Sequence, residues 1–202
     1  MSTDPPAAPR LFLALTLPSA ASESLLGVQR ALRGRHAAAR AGAVRWIAAR
    51  QFHLTLSFLG ATPPAALPGV LACAERVCAA GAPLELEIAG RLVIFGEPQL
   101  AKAVVASVGQ ASPELHALHN ALALALAGLD FKPEARAFTP HVTLARIKHQ
   151  GDVARWVHGA TAERVADSPR FVARHVVLYS STLTERGGLY TELARFTLGR
   201  AR

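Results

Sequence analysis

The stretch Gln51-Phe52-His53-Leu54-Thr55-Leu56-Ser57-Phe58-Leu59-Gly60 alternates with period two. Phe52, Leu54, Leu56 and Phe58 fall on one face, and His53, Thr55 and Ser57 on the other, as a half-buried β-strand requires. A second copy follows at Ala137-Phe138-Thr139-Pro140-His141-Val142-Thr143-Leu144-Ala145. Here Phe138, Val142 and Leu144 make the apolar face, and Thr139, His141 and Thr143 the polar one. Each strand therefore presents His-x-Thr, an imidazole and a hydroxyl side by side, on a face the chain has not filled with apolar groups.

Both copies end the same kind of unit. The apolar run Arg10 to Leu17, closed by Pro18, reads as a buried strand. Ser19 can cap a helix over 20–33 that Gly34 ends. Downstream, a buried strand over 101–108 precedes Ser112-Pro113-Glu114, a helix start with Pro at its first position, and a helix over 113–127. Strand, helix and His-x-Thr strand thus occur twice. The repeat predicts an α+β fold of two pseudo-symmetric lobes, each a mainly antiparallel sheet with helices on its outer face, flanking a central cleft. The break at Gly96-Glu97-Pro98 puts lobe one at about 10–97 and lobe two at about 98–202 of a single domain, after a disordered arm at 1–9. Further elements are a helix over 65–80, strands at 84–88 and 91–95, a short helix at 152–158, and strands over 171–179 and 190–198 joined by a turn at Arg186-Gly187-Gly188.

At 202 residues, with 51% hydrophobic and 18% charged residues, the chain is long and apolar enough to bury a core and is not a disordered tail. No run of about 18 uninterrupted apolar residues occurs, so no transmembrane helix and no membrane partner is expected. The first nine residues lack the basic-then-apolar order of a signal peptide. Cys73 and Cys78 have neither a CxxC nor a zinc spacing and read as buried or idle thiols. A reducing cytoplasm is the expected location.

The net charge is +8, and all but Lys102, Lys132 and Lys148 of the 22 basic residues are Arg. A guanidinium fork matches phosphate where an ammonium is a point charge. Compositional bias explains this as readily as an anionic partner does. Six arginines and no acid lie between Arg30 and Arg50. The run leads through Val44-Arg45-Trp46-Ile47 into the first His-x-Thr strand, so it reads either as solvated loop or as one wall of an anionic site.

Two histidines can hold opposite protonation states near neutral pH. The neutral ring takes a proton from water while the imidazolium gives one to a leaving oxygen. Thr hydroxyls on the same face can donate to non-bridging phosphate oxygens. Neither motif has a nearby Asp or Glu, so a metal-activated water is poorly supported. Near symmetry leaves open which histidine is the acid.

These residues resemble the 2H phosphoesterases, and within them the RNA 2′,3′-cyclic phosphodiesterases, also called bacterial 2′-5′ RNA ligases. The resemblance spans nearly the whole chain. It rests on Arg10-Leu11-Phe12-Leu13-Ala14-Leu15, Val44-Arg45-Trp46-Ile47, His53 to Gly60, Phe138 to Arg146, and a late Ser181, Leu183, Gly187 and Tyr190. It implies that His53 donates the proton to the leaving 3′-oxygen, that His141 accepts one from water, and that Thr55, Thr143 and Arg146 bind substrate. It implies no metal and no nucleotide cofactor. The implied substrates are RNAs with 2′,3′-cyclic phosphate ends, tRNA fragments among them, or small cyclic-phosphate nucleotides; the implied product is a 2′-phosphomonoester, and the same groups can join a cyclic phosphate to a 5′-hydroxyl in a reversible 2′-5′ ligation. Alternatives are an RNA-binding module with little turnover and a phosphodiesterase acting on small cyclic nucleotides or 2′-5′ oligonucleotides. A monomer is the default.

Strict alternation raises one difficulty. Arg146, five residues after His141, should point away from it unless the strand bulges near Ala145. The same alternation assigns Phe58 to the core. Trp46, in a loop beside arginines, is the ring offered for stacking on a base. His116 and His119, three apart on the second helix without an accompanying carboxylate or Cys, read as a solvated helix face. His36, His149, His158 and His175 carry no motif and read as surface groups.

Overall fold

The structure is a computed structural model that describes residues 8–34, 43–97, 100–109, 112–132, 134–148, 165, 169–184 and 187–199. Its strands are β1 (Arg10–Thr16), β2 (Val44–Trp46), β3 (His53–Ala61), β4 (Leu84–Phe95), β5 (Ala103–Val108), β6 (His141–Ile147), β7 (Arg170–Ala173), β8 (His175–Thr184) and β9 (Gly187–Thr197). Its helices are α1 (Ser19–Gly34), α2 (Leu67–Ala80) and α3 (Pro113–Ala127). The expected helix at 152–158, and His36, His149 and His158, lie outside the described residues. None of the described helices is long and apolar enough to cross a membrane.

The strands form one mixed-length sheet in the order β7-β4-β5-β6-β3-β1-β8-β9, with β2 also alongside β6, and every pairing is antiparallel. The fold is α+β. The start of α3 follows its sequence signal, whereas Ser19, expected as a cap, is the first residue of α1, and Gly34 is its last. The Ser112 hydroxyl accepts the Leu115 N–H at 3.2 Å, and Pro113 opens α3 where a missing N–H costs nothing. Leu25, Val28 and Leu32 of α1 and Leu115, Leu118, Leu122 and Leu126 of α3 are buried in the same core as Leu13, Leu54, Val104 and Leu144 of the sheet. Both cysteines are free and buried there, and burial pushes the Cys78 thiol up to about 12, so it stays protonated.

The halves of the sheet do not divide the chain at one point. β8 pairs onto β1 and carries β9, while β4 pairs onto β5 and carries β7, so one half takes β1 and β3 from before, and β8 and β9 from after, the stretch that supplies β4 to β7. The connection at Gly96 therefore lies within one half, between the paired strands β4 and β5, and not between lobes. Alternation and turn residues mark where a strand ends but carry nothing about which edge it joins. Gly96 adopts φ 99°, and a Cβ there would sit 2.5 Å from the Leu100 carbonyl oxygen, which explains a glycine at the turn. The two halves meet at β3 and β6 through the single pair Leu54↔Val142.

Candidate active site

The one antiparallel pair at the junction sets the geometry of the site. With Leu54 opposite Val142, His53 comes beside Thr143 and Thr55 beside His141 on one face of the sheet. All four line a cleft of about 270 Å³, with Arg10, Arg45 and Arg146 and with the rings of Phe12, Phe58 and Tyr190. Among the described residues, no Asp or Glu lines this cleft, and no group of three or more His, Cys, Asp and Glu is arranged to hold a metal ion.

Both imidazoles are held in the same way. His53 Nδ1 lies 2.7 Å from the Gln51 carbonyl oxygen, and His141 Nδ1 lies 2.7 Å from that of Thr139, in each case two residues back. A carbonyl only accepts, so Nδ1 carries the proton in both rings and Nε2 is left for chemistry. Gln51 is fixed in turn, since its side-chain amide donates to the Gly188 carbonyl. Aromatic rings cover the edges: Tyr190 meets His53 at 5.2 Å and 88°, and Phe95 meets His141 at 4.5 Å and 64°. Burial pulls the pKa of His53 below its ordinary value, against the bond to Gln51, and repulsion from His141 and Arg146 adds to the effect. His141 is lowered as well, again mainly by burial, with the bond to Thr139 opposing and Arg146 reinforcing.

Strict alternation breaks at the same place in both strands. On β3, Ala14 faces Thr55 but Leu13 faces Ser57, so Leu56 is an extra residue. On β6, Val105 faces Thr143 but Val104 faces Ala145, so Leu144 is an extra residue. Each bulge follows its His-x-Thr directly and reverses the facing of what comes next. Arg146 is thereby turned into the cleft, which resolves the difficulty of its position. The twin bulge overturns the core assignment of Phe58, which is 50% exposed and lines the cleft, while Ser57 is buried at 8%. Five residues after each histidine, one half presents a guanidinium and the other a phenyl ring. The Phe58 outcome was available to the argument applied to Arg146, because the two strands are repeats.

Other expectations change too. Trp46 is on the three-residue strand β2, opposite Ala145, not in a loop. Its half-buried ring packs against the core with the Arg33 guanidinium 5.0 Å above it, and it does not line the cleft. His119 is not on a solvated face: its ring stacks on Phe138 at 3.9 Å and 4°, and its Nδ1 lies 2.7 Å from the Leu56 carbonyl. His116 meets the same Phe138 edge-on at 5.4 Å. His175 opens β8, half-buried. Of the arginine run, Arg45 reaches the cleft, next to Arg146 across the β2–β6 pair. Arg50 lines a smaller groove of about 70 Å³, with Tyr179 and Leu189, that shares Gln51, His53 and Tyr190 with the cleft.

Two guanidiniums placed side by side, with a third at Arg10 and no lining carboxylate, form a site whose charge is completed by an anion. The comparisons agree with that chemistry. The chain is 32% identical over 153 residues to the RNA 2′,3′-cyclic phosphodiesterase of Geobacillus stearothermophilus, which covers 76% of this chain and 47% of that protein. The chain thus spans about half the length of that relative. It is 30% identical over 144 residues to the enzyme of the same name from Aeropyrum pernix, covering 70% of this chain and 79% of the relative. Among solved structures, TT0787 of Thermus thermophilus superposes with a TM-score of 0.77 at 26% identity, over 95% of this chain and 100% of that one. The description of the 2′-5′ RNA ligase superfamily matches residues 27–185, which include both His-x-Thr strands. This chain belongs to the 2′-5′ RNA ligase superfamily, whose members are 2H phosphoesterases.

Proposed function

We propose that the protein hydrolyses 2′,3′-cyclic phosphate ends of RNA to 2′-phosphomonoesters by paired general acid–base catalysis, without a metal. The observation that carries this is the pair of imidazoles, one per half, fixed in one tautomer with both Nε2 atoms free over a single arginine-lined cleft. In-line displacement at phosphorus needs the proton acceptor and the proton donor on opposite sides of the reacting phosphate. His141 Nε2 takes a proton from water as its oxygen bonds to phosphorus. The bond from phosphorus to O3′ breaks, and His53 delivers its Nε2 proton to that oxygen. Thr55, Thr143 and Arg146 hold the non-bridging oxygens, and Arg45 and Arg10 add positive charge. With a 5′-hydroxyl in place of water as the nucleophile, the same step, bond from phosphorus to O3′ broken and O3′ protonated, forms a 2′-5′ link, and its reverse cleaves that link.

The cleft is at the small end for a ligand pocket, typically about 300–1,000 Å³, so one terminal nucleotide occupies it. Phe58, backed by the buried ring of Phe12, takes the stacking role that the sequence offered to Trp46. The side groove that Arg50 lines suits the next phosphate of a chain, which favours an RNA over an isolated cyclic nucleotide. The test is turnover in EDTA of a short RNA ending in a 2′,3′-cyclic phosphate, alongside a cyclic mononucleotide, with products identified by NMR. A 2′-phosphate is expected, with higher kcat/KM on the RNA. A 3′-phosphate reverses the orientation of the substrate. Tight RNA binding with no turnover of either compound would leave a binding module.

The pH profile checks the electrostatics. Burial and neighbouring positive charge lower both histidines. The bell-shaped profile of kcat/KM, which reports the free enzyme, is therefore expected to centre below the ordinary imidazole value of about 6.5. A bound phosphate anion stabilises imidazolium, so the kcat profile lies at higher pH than that of kcat/KM. Coincident profiles centred above that value would contradict it.

A further inference from the structure

We propose that two helix side chains outside the cleft, Gln29 and His119, are positioning residues that clamp the paired bulges and thereby aim Arg146 and Phe58 at the substrate. In each half the carbonyl of the extra residue receives a side-chain N–H from a helix. Gln29 on α1 donates through Nε2 to the Leu144 carbonyl at 2.9 Å and to that of Ile47 at 2.8 Å. His119 on α3 donates through Nδ1 to the Leu56 carbonyl at 2.7 Å. α1 and α3 hold the same place in the repeat, and Leu56 and Leu144 both come three residues after the histidine of their motif. One repeat uses an amide and the other an imidazole. What they share is a single N–H aimed at an equivalent oxygen.

Packing gives no other reason for these residues. Gln29 is only 2% exposed, on a helix face otherwise built of Ala21, Leu25, Val28 and Leu32. A buried amide there is unfavourable unless its hydrogen bonds are made, and an aliphatic side chain is the default. His119 is fixed by its stack on Phe138, so its Nδ1 has little freedom to go elsewhere. Without the bulges, strand alternation would turn the residues at 146 and 58 to the helix side, burying a guanidinium and removing the ring from the cleft. The clamps therefore act on substrate only through Arg146 and Phe58.

The proposal rests on the phosphodiesterase reading for its kinetic readout and on phosphate binding for one that needs no turnover. Gln29→Met is expected to raise KM for the cyclic phosphate about tenfold with kcat changed less than about threefold. In the Arg146→Ala background it should add nothing, because contacting groups in one chain of effect are non-additive. Calorimetry with inorganic phosphate should show the same loss and the same non-additivity. His119→Leu should remove the preference for a cyclic nucleotide over the base-free ribose cyclic phosphate, as Phe58→Ala does. His119→Asn, whose amide N–H stands near the position of Nδ1, should restore it. Variants that melt like the parent yet lower kcat equally on every substrate, or whose effects add to those of Arg146→Ala and Phe58→Ala, overturn the clamp and leave a purely structural role. If Gln29→Met fails to fold, the His119 pair alone decides. An inactive parent protein refutes the phosphodiesterase reading, and the calorimetric cycle then decides the clamp.

Discussion

Replacing either histidine of the cleft by alanine is expected to lower kcat by about 10²–10⁴-fold, the usual contribution of one positioned proton transfer. The double variant should fall well short of the product of the two losses, because a donor and an acceptor that act in one step fail together. Residual activity in the single variants then assigns the roles. A bell falls on its acid side when the base is protonated and on its alkaline side when the acid has lost its proton. His141→Ala should lose the acid limb if His141 is the base, and His53→Ala the alkaline limb if His53 is the acid. Exchanged limbs would exchange the roles and keep the mechanism. Full activity in either variant would end the two-histidine scheme. Thermal melting of each variant separates lost chemistry from lost fold.

The second large effect is on stability. Leu54 is fully buried, sits between His53 and Thr55, and makes the one pair that joins β3 to β6. Leu54→Ala is expected to cost about 2–5 kcal/mol, transfer of the lost methyl groups plus the cavity left behind. The upper part of that range is expected here, because Leu54 is fully buried in a core shared by both halves, and the facing Val142 is itself fixed by its strand. Urea unfolding measures it directly as a lower midpoint at unchanged slope. A loss of less than about 1 kcal/mol would mean that the halves do not depend on this junction. A two-step transition in the variant would mean that they can unfold separately.

The sequence made much of this readable, for identifiable reasons. Alternation located both His-x-Thr strands, since a half-buried strand must show it, and turn residues bounded the helices. The family resemblance rested on the same residues and named the chemistry. On the two His-x-Thr strands, facing was misread only where alternation itself fails. An extra residue at Leu56 leaves no mark in composition, so Phe58 looked like core; for Arg146 a bulge was suspected only because the family resemblance put it in the site while alternation turned it away. A phenyl ring raises no such alarm. Strand order was also hidden, because β8 reads as an apolar strand whichever edge it joins. Gln29 carries no signal in the sequence, because its partners at Ile47 and Leu144 are far along the chain.

That strand order has a consequence for biosynthesis. β1 has five buried residues in succession, Leu11 to Leu15, and one of its two edges is covered by β8 from the other end of the chain. During translation this apolar strand emerges about 160 residues before the hairpin that seals its outer edge. Until that hairpin is made, the sheet of β1 and β3 has an open, hydrophobic margin, the feature most prone to pair with a neighbouring chain. Ribosome-bound intermediates that stop before Arg170 should bind trigger-factor-like holdases and aggregate on release. A circular permutant that begins at β8 and runs on into β1 should shed that dependence.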